Sequence, residues 1–138
     1  MGEVGRLNEE HHDLRSSLAE LEAMIEPKSE AAVEPLAGRL AAFLGELEEH
    51  FAFEENGQLF AEIASQRPSF DREVSRLFRQ HGEIQALFAS ARDLASSGKP
   101  VSEVAPTLRK AVKMLMGHER AEMDLLQEAE LTDLGGGD

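Results

Sequence analysis

Residues 4–25 read VGRLNEEHHDLRSSLAELEAMI, and the spacing of the apolar residues in this stretch decides the fold. Val4, Leu7, Leu14, Leu18, Leu21 and Ile25 recur in steps of three and four, once position 11 is allowed to complete the series. At about 3.6 residues per turn, such steps draw one apolar stripe along one side of a helix. Pro27 is expected to end the run, because a proline disfavours helical geometry at the residue before it. Within the stripe one member is not apolar: His11.

Three further runs repeat the pattern. The second carries Leu36, Leu40, Phe43 and Leu47, then positions 50 and 54, with Pro35 in a first turn where a missing N–H costs little. Asn56-Gly57 weakens it, but Leu59, Phe60 and Ile63 continue it as a kinked helix that Pro68 closes. The third starts at Ser69 as N-cap and passes through Phe70, Val74, Leu77, Ile84, Phe88 and Ala91, in phase with position 81. SSGKP at 96–100 stops it, since glycine suits the residue past a helix end and proline cannot continue one. Ser102 caps the fourth, through Val104, Leu108, Ala111 and Leu115, in phase with 118, 122 and 125; Pro106, near its first turn, blurs the start.

No sustained two-residue alternation occurs, so no strand is predicted. Four amphipathic helices with short connections predict an all-α fold, an antiparallel up-and-down four-helix bundle. The bundle is expected over residues 1–134, with GGGD at 135–138 as a flexible tail.

Composition narrows the chemistry. A chain of 138 residues, 41% apolar, is one domain with a real core. Phe is its only aromatic residue type, which excludes a tyrosyl radical or a tryptophan electron relay. Cysteine is absent, which excludes disulfides, thiolate metal sites, iron–sulfur clusters and thiol nucleophiles. The charged N-terminal stretch does not read as a signal peptide, and no apolar run is long enough for a membrane span. A cytoplasmic protein without membrane contact is therefore expected. The net charge of −13 argues against nucleic acid as a partner. Most of the acids read as a solvated coat on helix faces, so any functional ones must be recognised by position.

The positions are given by what interrupts the stripes: His11 in the first run, His50 and Glu54 in the second, His81 in the third, His118 and Glu122 in the fourth. A single histidine on an apolar face is usually a hydrogen-bonded core residue. If a core-facing stripe covers roughly 3/7 of a helix, four independent alignments by chance occur about once in thirty. Two glutamates one turn beyond a histidine, in HFAFE (50–54) and HERAE (118–122), lower that further. Buried acids are expensive unless paired or metal-bound. The six side chains fall at matching depths, so they are predicted to converge as metal ligands. Imidazole and carboxylate donors suit Fe, Mn, Zn or Cu rather than Ca or Mg. Two six-coordinate cations bridged by both glutamates and an oxygen would leave about two positions open to a small molecule.

The pattern H…HxxxE…H…HxxxE on four helices resembles the hemerythrin-like, HHE cation-binding domains. It is met by His11, by HFAFE, by His81 and by HERAE, and the likeness spans about residues 4–130. The doubled acid of HFAFEE and the LF at 59–60 also resemble that family. The resemblance implies a bundle around a non-haem di-iron centre: two Fe ions, oxo- or hydroxo-bridged, with Mn or Zn as alternatives. His50 and His118 are then terminal ligands, and Glu54 and Glu122 are bridges.

The sequence departs from the oxygen carriers of that family in two places. Gln85 stands where they carry a second third-helix histidine, and the last carboxylate is Glu122, four residues after His118, rather than an aspartate at five. An additional open position is implied, for water, substrate or an acid such as Glu55. Glu55 lies off the stripe and reads as an outer partner of a ligand or as a surface residue. In the HHD triplet, His11 is in phase and His12 is not, so His11 is the expected ligand. Glu9 and His12 form only half of a ferritin-type motif. Met114 and Met116 read as packing residues.

Three functions follow. The first is a non-enzymatic di-iron protein that binds oxygen, nitric oxide or peroxide for sensing, storage or delivery. The second is a redox enzyme consuming those molecules at the same centre, favoured by Gln85; the third is a role in iron homeostasis. A structural zinc bundle is the blander alternative. No residue is assigned as catalytic, and any signal is expected to pass to a separate redox or signalling protein.

Overall fold

Each predicted stripe becomes the buried face of a helix. The computed structural model describes residues 2–26 and 33–136, with side chains as far as residue 130. Among the described residues there are five helices and no strand: α1 (Glu3–Met24), α2 (Val33–Asn56), α3 (Leu59–Gln66), α4 (Pro68–Ser96) and α5 (Val101–Gly136). None is long and apolar enough to cross a membrane.

The helix ends follow local chemistry. At the end of α4, Gly98 takes φ of 83°, which a glycine adopts without strain. The Gly98 N–H then reaches the Ala95 carbonyl and the Lys99 N–H that of Leu94, the paired reverse bonds of a Schellman stop. The two expected serine caps are corrected. The Arg67 carbonyl already accepts from the Phe70 and Asp71 N–H groups, so Pro68 opens α4 at its first position and Ser69 lies inside. Likewise the Pro100 carbonyl accepts from Glu103 and Val104, which places Ser102 within the first turn of α5. Pro106 is carried inside that helix. Pro27 lies outside the described residues, as do residues 137 and 138 of the expected tail.

The second run is two helices rather than one kinked helix. Glu3, at the start of α1, accepts hydrogen bonds from the backbone N–H groups of Gln58 (2.9 Å) and Leu59 (2.8 Å). Those donors would otherwise have no partner at the start of α3, so a distant side chain fixes the break. Gly57 makes the approach feasible. A Cβ there would lie 2.9 Å from the Phe53 carbonyl oxygen and 2.9 Å from Glu3 Oε2.

Packing closes a ring: α1 meets α2, α2 meets α4, α4 meets α5, and α5 meets α1, while α3 lies on α4. The core has two apolar clusters. One holds Leu14, Leu18, Leu21, Leu40, Phe43, Leu47, Phe51, Ile84, Phe88, Leu108 and Leu115 with their neighbours. The other holds Leu7, Phe60, Ile63, Phe70, Val74, Leu77, Leu125, Leu126 and Ala129. Each large side chain so buried contributes about 1.5–3 kcal/mol. One stripe expectation and one packing expectation fail at the margins. Val4 is 38% exposed, so the buried stripe of α1 begins at Leu7, and Met116 is 45% exposed while Met114 packs against the first cluster.

Candidate metal centre

Between the two clusters lies a polar layer. On α1 it falls between Leu7 and Leu14, on α4 between Leu77 and Ile84, and on α5 between Leu115 and Leu125, each pair split across the clusters. Its members are His11, His50, Glu54, His81, His118 and Glu122, all 2% exposed or less. All six predicted positions are therefore brought together, while His12 is exposed.

The two carboxylates span the layer. Glu54 Oε1 is 2.9 Å from His81 Nε2, and its Oε2 is 3.3 Å from His50 Nε2 and 3.9 Å from His11 Nε2. Glu122 Oε1 is 3.2 Å from His11 Nε2, and its Oε2 is 3.3 Å from His118 Nε2. Each glutamate thus turns one oxygen to the His11–His50 pair and the other to the His81–His118 pair. Two donor groups result, His11–His50–Glu54–Glu122 and Glu54–His81–His118–Glu122, with the donor atoms of each group within 4.8 Å of one another.

The outer nitrogens point the other way. His50 Nδ1 donates to Glu10 (2.7 Å), His81 Nδ1 to Glu55 (2.7 Å) and His118 Nδ1 to Gln80 (2.8 Å). A proton held on Nδ1 leaves Nε2 as a lone-pair donor directed inward. The Phe51 ring stacks on His81 at 3.8 Å and meets His118 edge-on, bounding the layer on the side of the first cluster.

The donors fit a cation. The Nε2 atoms of His50, His81 and His118, both oxygens of Glu54 and Oε2 of Glu122 are buried with no hydrogen-bond partner. Six such atoms in an apolar core would be costly, and a shared positive charge satisfies them all. Imidazole and carboxylate donors with no thiolate favour iron, manganese, zinc or copper.

Protons are the alternative to metal, and the layer's pKa values show the competition. Burial alone would lower His11, but its hydrogen bond to Glu122 and the nearby Glu54 carboxylate outweigh it and hold its pKa at about 9. His50 and His81 are raised in the same way, burial being outweighed chiefly by Glu54. Burial and then the neighbouring His81 push His118 down to about 4. Burial would raise Glu54, yet Glu122 and the three histidines close around it keep it ionised, well below the usual carboxylate range. Glu122 is raised by burial and by the Glu54 carboxylate beside it.

Glu55, left between two roles by the sequence, is 45% exposed and serves as the outer partner of His81. Gln85 is half-buried. Sequence reasoning missed Glu10 and Gln80, and it missed Glu119, which is 6% exposed with Oε1 unpartnered and a pKa raised by burial. A signal for Glu119 existed: Ala105, Val112 and Leu126 share its seven-residue spacing, and all are buried.

Among the comparisons with known proteins, no curated protein and no solved structure matches the chain. A family model does, that of the Hemerythrin HHE cation binding domain, over residues 3–129. That match covers the whole polar layer and all five helices up to the last turns of α5, and the chain belongs to the hemerythrin HHE cation-binding domain family.

Proposed function

We propose that the protein is a non-haem di-iron protein that binds oxygen or a related small molecule, nitric oxide or peroxide, for sensing, storage or delivery. The observation that carries this reading is the pair of donor groups sharing both Glu54 and Glu122. His11 and His50 would hold one iron and His81 and His118 the other, with both glutamates as bridges. Four protein donors per ion are fewer than six-coordinate iron takes, so each ion would retain positions for an exogenous ligand. When bound, the metals would supply the electrons and the Lewis acidity for ligand binding. The chain's own residues hold the imidazoles inward-facing, exclude bulk water with two apolar clusters, and neutralise the charge with two carboxylates.

This reading includes an antiparallel up-and-down bundle of α1, α2, α4 and α5 with α3 appended, supported by the closed order of helix contacts. It takes residues 1–134 as the domain and the cytoplasm as its location. Absorption spectroscopy of the iron-loaded protein tests it: a visible charge-transfer band should appear with oxygen and reverse when oxygen is removed. Irreversible oxidation in one cycle, with no reversible ligand band, would contradict carriage or sensing of oxygen. Gln85, in place of a further imidazole, favours a second reading, enzymatic consumption of peroxide or nitric oxide. Steady-state turnover that disappears in His118→Ala would support it over the first.

A further inference from the structure

The outer hydrogen-bond partners follow one rule. Glu10 adjoins His11 on α1 but serves His50 on α2; Glu55 adjoins Glu54 on α2 but serves His81 on α4; Gln80 adjoins His81 on α4 but serves His118 on α5. Each helix therefore supports the histidine of the next helix around the ring of contacts. The partner comes one residue before the inward-facing position on α1 and α4, and one residue after it on α2. One residue is about 100° of helix rotation, and its sense as seen from one end reverses when the helix direction reverses. Alternating offsets are what a single rotational sense requires of helices that alternate in direction.

The rule has a fourth term. α5 should carry its partner one residue after an inward-facing position, directed at the histidine of α1; Met123, after Glu122, offers no carboxylate or amide, so the position is the one after His118, Glu119. It is buried, its Oε1 has no partner, and its Oε2 lies 4.0 Å from the Arg15 guanidinium of α1. Arg15 in turn donates to the His11 carbonyl, so Glu119 sits at the His11 level of the α1–α5 interface.

We propose that Glu10, Glu55, Gln80 and Glu119 form a ring of positioning residues around the cation centre, with Glu119 the one that serves His11. This rests on the di-metal reading above. The ring fixes each imidazole with Nδ1–H outward, and its three carboxylates strengthen His50, His81 and His11 as donors, while His118 faces a neutral amide. Outer partners of this kind typically change metal affinity about 10–100-fold. Glu10 is itself held by Arg6 at 2.7 Å, whose guanidinium lies 4.2 Å over the Phe53 ring.

The test uses Co(II) alone as probe, in the parent and in Glu10→Ala, Glu55→Ala, Glu119→Ala and Glu10→Gln, each checked for native helicity by circular dichroism. Chelator competition reads affinity, and proton NMR of the loaded protein reads the exchangeable, hyperfine-shifted imidazole N–H signals. Four slowly exchanging signals are expected in the parent. Each alanine variant should weaken binding about 10–100-fold and quicken exchange of one signal, a different one each time. Glu10→Gln keeps an acceptor, so its signal should persist with a smaller loss of affinity. A parent that binds two ions, with a Glu119→Ala variant unchanged in affinity and in all four signals, would overturn the ring. A parent that takes up no metal would contradict the di-metal reading and the ring with it.

Discussion

His11 and Glu122 decide how the centre responds to pH. In the metal-free chain the His11 pKa is raised from 6.5 to about 9, so its contribution to stability is complete below pH 6.5 and is lost as pH rises through 9. Glu122, also raised, acts in the same direction, while His118, lowered to about 4, contributes stability that is lost as pH falls through 4. The metal-free protein should thus lose several degrees of melting temperature between pH 6.5 and 9, on the order of 1 kcal/mol or more. The metal-loaded protein, with its ligands already deprotonated, should not. Metal uptake near pH 7 should accordingly release protons, which calorimetry in buffers of different ionisation enthalpy measures. Substitutions should separate the roles of the six residues. Glu54→Ala and Glu122→Ala each remove a donor from both groups and should bring metal content toward zero, whereas His50→Ala or His118→Ala should first lose one ion of two. These six were legible in the sequence because each interrupts an apolar stripe. Glu10 and Gln80 were not, because a residue adjacent to a stripe position lies off the stripe, where most polar side chains merely face solvent; Glu119 was marked only by the second buried series of Ala105, Val112 and Leu126.

The break between α2 and α3 shows what an element inherits from elsewhere in the chain. Asn56-Gly57 marked a weak point, but two helices rather than a kink form because Glu3 accepts the Gln58 and Leu59 N–H groups. That contact spans 55 positions and has no local signature. Gly57→Ala should destabilise the protein by about 1–3 kcal/mol in urea unfolding, since the Phe53 carbonyl it would crowd belongs to the backbone and cannot swing aside. Glu3→Ala should instead speed hydrogen exchange at Gln58 and Leu59 while leaving amides of α4 unchanged. The serine caps misled for a related reason. Proline at the start of α4, and just before α5, already presets the entry to the helix, so the turn closes on the carbonyls of Arg67 and Pro100 without a side-chain cap.

At the scale of the molecule, a polar layer divides the core, and its stability should depend on what fills it. Binding at one hundred times the dissociation constant adds about 2.7 kcal/mol, so removing metal should lower the melting temperature by about 10 °C. An equally stable metal-free form would show that the layer is satisfied by shared protons alone. The polar layer was legible in the depth of the interruptions: the four histidines are expected at one level, and the structure buries them there between the two apolar clusters. What the sequence could not carry was the ring of outer partners, which depends on which helices are neighbours. The central proposal, that these six side chains hold two cations, is tested most directly by anomalous scattering from a crystal of the iron-loaded protein. Two peaks are expected within the layer, one beside His11 and His50 and one beside His81 and His118, each touching Glu54 and Glu122. A single peak, or iron bound outside the layer with these six side chains metal-free, would contradict it.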